Sequence, residues 1–61
     1  MFTIKELEFI KSSSKASIIW LVAEQARLER LGKYSLVSMI EKDITNHQAI
    51  LDKVTDALNN D

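Results

Sequence analysis

Apolar residues recur every three to four positions along most of this chain, the period of an amphipathic helix. The first such stretch opens on a helix-start signature. Thr3 is placed as N-cap, Glu6 three residues on completes a capping box, and Phe2 and Leu7 are spaced for a hydrophobic staple. A first helix is therefore expected over about residues 4–12. It is expected to stop at Ser12-Ser13-Ser14, whose hydroxyls compete for backbone hydrogen bonds and offer an N-cap to whatever follows. The spacing at Ile4, Leu7, Ile18, Leu21 and Leu28 also runs on across the serines, which makes one helix over 4–31 the alternative; the break is preferred.

A second helix is expected over about 15–31, rich in Ala, Leu, Glu, Gln and Arg, and ended by Gly32 at the position where a left-handed residue stops a helix. Ile18 and Val22 fall on one side of it, Trp20 nearly opposite, and Ile19, Leu21 and Ala23 between them. A helix apolar all round needs cover on more than one face, so this one is expected in the middle, with Trp20 against the first helix or another subunit. The third helix is expected to begin at Ser35, with Tyr34 and Met39 as a second staple, and to run over about 36–58. Val37, Ile40, Ile44, His47, Leu51, Val54 and Leu58 keep strict 3-4 spacing along it, and Met39, Ile50 and Ala57 form a weaker stripe beside them. Thr45-Asn46-His47-Gln48 also reads as a helix start, but the unbroken heptads favour one helix.

These elements predict a single all-α domain over 1–61, a three-helix unit with a short first, a central second and a long third helix. At 1.5 Å per residue the third helix would be about 35 Å long and the second about 26 Å, which leaves part of the long helix uncovered. Helix–helix dimerisation is the expected remedy, since twofold pairing is the commonest closed assembly. The residues expected to meet another copy or a partner are Trp20, Met39, Ile40, Ile44, His47, Ile50, Leu51, Val54 and Leu58.

Composition sharpens this picture. The chain has 61 residues, 46% of them hydrophobic, with one glycine, no proline and no cysteine, which argues against disorder, disulfide scaffolds and thiolate metal sites. Burying about 3,500 Å² of apolar surface in so short a chain contributes ~90 kcal/mol. Ordering the residues costs about the same, so a lone copy comes out near zero and self-association again follows. The longest apolar run, Ala16 to Ala23, is interrupted by Ser17 and falls far short of the ~20 residues of a membrane span. Residues 1–15 mix charged with apolar side chains, unlike a secretory signal, so a cytoplasmic protein is expected. Met1 suggests a complete small gene product.

The formal charge of −1 provides no strong field toward nucleic acid or an anionic membrane. Its halves differ: residues 1–34 carry six basic and four acidic side chains, and residues 35–61 carry two and five. The turn around Leu31 to Ser35 allows a helix-turn-helix, in which Lys11, Lys15, Arg27, Arg30 and Lys33 would contact nucleic acid. The helix after that turn starts with apolar residues and has only Lys42 as a nearby cation, which makes DNA binding the second reading. His47, with Asp43 one turn before it, supplies two metal ligands where a zinc site needs more; a histidine bonded to Asp43 or to a backbone carbonyl is the plainer reading, and its protonation would weaken an interface. No phosphate loop, metalloprotease or hydrolase motif occurs, and neither catalysis nor a cofactor is expected. The expected function is a non-catalytic protein–protein interaction module, a regulator, inhibitor or adaptor acting as a homodimer. A compact DNA-binding regulator comes second and a structural self-assembling protein third.

Overall fold

The computed structural model describes residues 2–60; Met1 and Asp61 lie outside the described residues. Two helices account for nearly all of them, α1 (Ile4–Arg30) and α2 (Tyr34–Asn59). Each is about 40 Å long at 1.5 Å per residue. The molecule measures 45 × 15 × 14 Å, so the helices lie side by side and antiparallel, joined by a three-residue turn. This is a helical hairpin, and the three-helix expectation is wrong. The predicted helices over 4–12 and 15–31 are one continuous helix, and the long third helix has a neighbour of equal length.

The start of α1 is built as its sequence reads. Thr3 adopts an extended conformation, its hydroxyl accepts the Glu6 N–H at 3.1 Å, and the Glu6 carboxylate accepts the Thr3 N–H at 2.9 Å. The serine triplet does not end the helix, because it falls in register with the inter-helix seam. Ser14 is buried on the same heptad line as Leu21 and Leu28, while Ser12 and Ser13 point to solvent. Among the described residues no side-chain hydrogen bond competes for the backbone there. Each serine then costs only a few tenths of a kcal/mol in propensity, which the packing of a long helix outweighs.

α1 ends where glycine demands. Gly32 sits at φ +74°, the Gly32 N–H reaches the Glu29 carbonyl at 3.1 Å and the Lys33 N–H reaches the Leu28 carbonyl at 3.0 Å. This is a Schellman closure, and it satisfies carbonyls that the helix end would orphan. α2 begins at Tyr34 with Lys33 as an N-cap that makes no side-chain bond, so the cap expected at Ser35 is not used. α2 then runs unbroken past Thr45, whose hydroxyl donates back to the Glu41 carbonyl at 3.0 Å instead of starting a helix.

The core is a single seam. Leu21 and Leu28 of α1 and Val37 and Val54 of α2 are its buried apolar residues, and among the described residues no side chain is wholly sealed from solvent. Ile40, Ile44, His47, Leu51 and Leu58 are half-buried on the same line of α2. The strict 3-4 stripe is thus used to hold α2 against α1 of its own chain.

Candidate functional site

Of the residues expected to meet another chain, Ile40, Ile44, His47, Leu51, Val54 and Leu58 face the seam, while Trp20, Met39 and Ile50 are exposed. Helical spacing and shared hollows place these three, together with Phe2 and Phe9, on one broad side of the hairpin. On α1, Phe2, Phe9 and Ala16 follow one heptad line, with Trp20 one turn beyond. On α2, Met39, Ile50 and Ala57 form the second stripe. Two hollows tie the helices together on this side. One, of about 350 Å³, is lined by Ala16, Ser17, Trp20, Leu21 and His47. The other, of about 400 Å³, is lined by Phe2, Leu7, Ile10, Ile50, Lys53, Val54 and Ala57.

The aromatic and aliphatic side chains of this face are far from covered. Phe9 is 72% exposed, Trp20 64% and Met39 62%. Trp20 has no first helix to lie against, because the segment expected to cover it is the N-terminal half of its own helix. The opposite side is more polar. There Gln25 donates to Glu41 at 3.4 Å between the helices and to Glu29 at 3.2 Å within α1. Phe9 is not joined to Trp20 by the sequence pattern, because their shared side exists only when the helix runs through the serines; Ala16 and Ser17, one turn before Trp20 within the expected second helix, carry no signal of their own.

The whole molecule exposes 4754 Å². A compact monomer of 7.0 kDa exposes about 4,000 Å², so this hairpin shows roughly 700 Å² more than its mass requires. Its radius of gyration, 13.9 Å, likewise exceeds the ~10.5 Å of a compact domain of this length.

The polar groups are arranged for structure. His47 bonds through Nδ1 to the Asp43 backbone carbonyl at 2.7 Å, so the Asp43 carboxylate is not its partner. Among the described residues no three metal-ligating side chains come together. Glu6 is held below its ordinary pKa, first by the Thr3 backbone N–H and then by the Thr3 hydroxyl. Glu24 is lowered chiefly by its hydrogen bond to Arg27, whose Nε contacts both carboxylate oxygens at 3.1 and 3.2 Å and whose Nη2 closes the pair. The cations considered for nucleic acid do not gather. Lys11 and Lys15 take one flank of α1, Arg27 takes the other beside Glu24, Arg30 points outward and Lys33 lies in the turn. Among the described residues no helix is long and apolar enough to cross a membrane. No family model, curated protein or solved structure matches the chain.

Proposed function

We propose that the chain is a small, non-catalytic protein–protein interaction module of the cytosol that acts as a homodimer through its Phe9–Trp20–Met39–Ile50 face, in the role of a regulator, inhibitor or adaptor. One observation carries this reading: a continuous apolar side on a hairpin that has already used its seam residues to fold. Large apolar patches of this kind, rimmed by charge, mark binding surfaces on soluble proteins. Aromatic residues and methionine are the side chains enriched at such surfaces. The shallow hollows on this face are lined largely by apolar side chains, and they bring together no acid, base and nucleophile set.

Sedimentation equilibrium on three proteins tests the reading. The native chain is expected to associate at micromolar concentration, and Phe9→Ser combined with Trp20→Ser to abolish association while keeping the helical circular dichroism. Ile19→Ser, at an equally exposed position on a different side of α1, is expected to behave as the native chain. Equal effects of the two sets of substitutions would remove the case for this face.

A further inference from the structure

The heights of the charged residues on this face say how two copies meet, an inference that rests on the self-association just proposed. We infer that the second copy lies antiparallel, related by a twofold axis crossing both helices at mid-height, so that α1 packs on the partner's α1 and α2 on the partner's α2 in a four-helix bundle.

The levels of the two helices are fixed by contacts between them. Gln25 bonds to Glu41, and Ser17 shares a hollow with His47, so residues at equal height have numbers summing to about 65. Charged residues flank the apolar side, Lys5 and Glu24 among them, and four others bear on the pairing. Glu6 lies in one hollow with Phe2 and Phe9, and Lys53 in another with Phe2 and Ile50. Arg27 stands one heptad beyond Trp20, and Asp43 one turn beyond Met39. Glu6 and Arg27 are equally far, about 16 Å by helical rise, from a point between Ala16 and Ser17. Asp43 and Lys53 are equally far, about 7.5 Å, from Gln48. Those two midpoints lie at the same height in the register that Gln25–Glu41 and Ser17–His47 set. One axis therefore brings Glu6 to the partner's Arg27 and Asp43 to the partner's Lys53, each pair formed twice.

The atoms for these pairs are at hand. Glu6 uses Oε1 in its cap and keeps Oε2, and Arg27 uses Nε and Nη2 on Glu24 and keeps Nη1. Asp43 and Lys53 form no ion pair within the chain among the described residues. The same axis sets Trp20 over the partner's Ser13, a large side chain over a small one, and the small pair Ala16 and Ser17 at the crossing permits close approach. An axis running along the bundle would instead lay α1 on the partner's α2. Glu6 would then stand level with Asn59, Arg27 with Ser38, Asp43 with Val22 and Lys53 with Ser12, and no opposite charges would meet.

The chain has no cysteine, so one introduced thiol reports the arrangement directly. Ala16→Cys, next to the axis, is expected to form a disulfide-linked dimer under mild oxidation. Phe2→Cys, whose two copies would lie ~40 Å apart, is expected to form none. Independently, Asp43→Lys or Lys53→Asp alone should weaken association about tenfold, and the double reversal should return it to within about threefold of native. Sedimentation gives the affinity and circular dichroism confirms that each variant is helical. A dimer sensitive to Trp20 that neither cross-links through Ala16→Cys nor recovers in the double reversal overturns the antiparallel arrangement alone. A chain monomeric at every concentration overturns self-pairing altogether and leaves the face to a different protein.

Discussion

Truncating Trp20 to alanine separates interface from core by the sign of its effects. A tryptophan side chain presents about 250 Å² when open, and at 64% exposure ~150 Å² of it faces water in the single hairpin. If a second copy covers that surface, alanine gives back about a third, and the variant forfeits ~100 Å² of covered apolar area per chain. At about 25 cal/mol/Å² this is ~2.5 kcal/mol per copy and ~5 kcal/mol for the symmetric pair, between three and four orders of magnitude in the dimer dissociation constant. In the isolated hairpin the same change replaces an exposed residue of moderate helix propensity with the best helix former, a gain of roughly 0.5 kcal/mol. Trp20→Ala should therefore abolish association at micromolar concentration without lowering helicity under conditions where the native chain is also a monomer. Sedimentation and circular dichroism over a dilution series read both effects. Because Trp20 is the sole tryptophan, its emission in the native chain should also shift to the red as the dimer is diluted. A variant whose affinity stays within tenfold of native, or whose helix signal collapses at every concentration, refutes the assignment of Trp20 to an interface.

Other positions test the hairpin itself. Leu21→Ala, in the seam, should cost about 2–5 kcal/mol and leave a chain of this length largely unfolded, which thermal melts will show. Gly32→Ala should lower stability by about 1 kcal/mol. The added Cβ meets nothing within 4 Å, so the loss measures the φ +74° conformation alone. Ser14→Ala should raise the melting temperature by a few degrees, since it removes a buried hydroxyl and restores about 0.5 kcal/mol of helix propensity. The capping carboxylate gives a pH dependence of definite sign. The folded pKa of Glu6 lies below its ordinary 4.5, so its contribution is complete above that value and is lost as the pH falls through the lowered one. Melts between neutral and acid pH should therefore show a smaller acid-induced loss in Glu6→Gln than in the native chain.

The N-terminus of α1, the turn at Gly32 and the stripe from Val37 to Leu58 are all legible in the sequence, because each depends on residues within a few positions of one another. Thr3 and Glu6 specify a cap locally, and Gly32 supplies a backbone conformation that other residues resist. What local reading misjudged was the serine triplet. Competition from a hydroxyl is a weak, local cost, whereas the gain that carries α1 through Ser14 comes from the length of α2 lying beside it. The seven-residue line Leu7, Ser14, Leu21, Leu28 is present in the sequence, but Ser14 reads as a break until the neighbouring helix is in place. Hence, with the helix broken at the serines, Phe2 and Phe9 are not joined to Trp20, and the second stripe of α2 has no counterpart along the full length of α1.

The two helices being equally long also changes the reason for expecting a second chain. A long helix overhanging a short one would leave an end to cover, and such an end can be closed by fraying or by a brief extension. Among the described residues neither helix overhangs the other by more than about a residue. What lacks cover is width: each helix carries apolar residues over an arc broader than one neighbour spans, and Phe9, Trp20, Met39 and Ile50 share one side, while Ile4, Ile19 and Val22 are exposed elsewhere on α1. A frayed end relieves an overhang without a partner, but no rearrangement within a hairpin hides a lateral face, because turning Phe9 and Trp20 inward would turn Leu21 and Leu28 out. Only a further layer of helices removes that face from water. Under the self-pairing proposed above, a second copy of the chain would supply that layer.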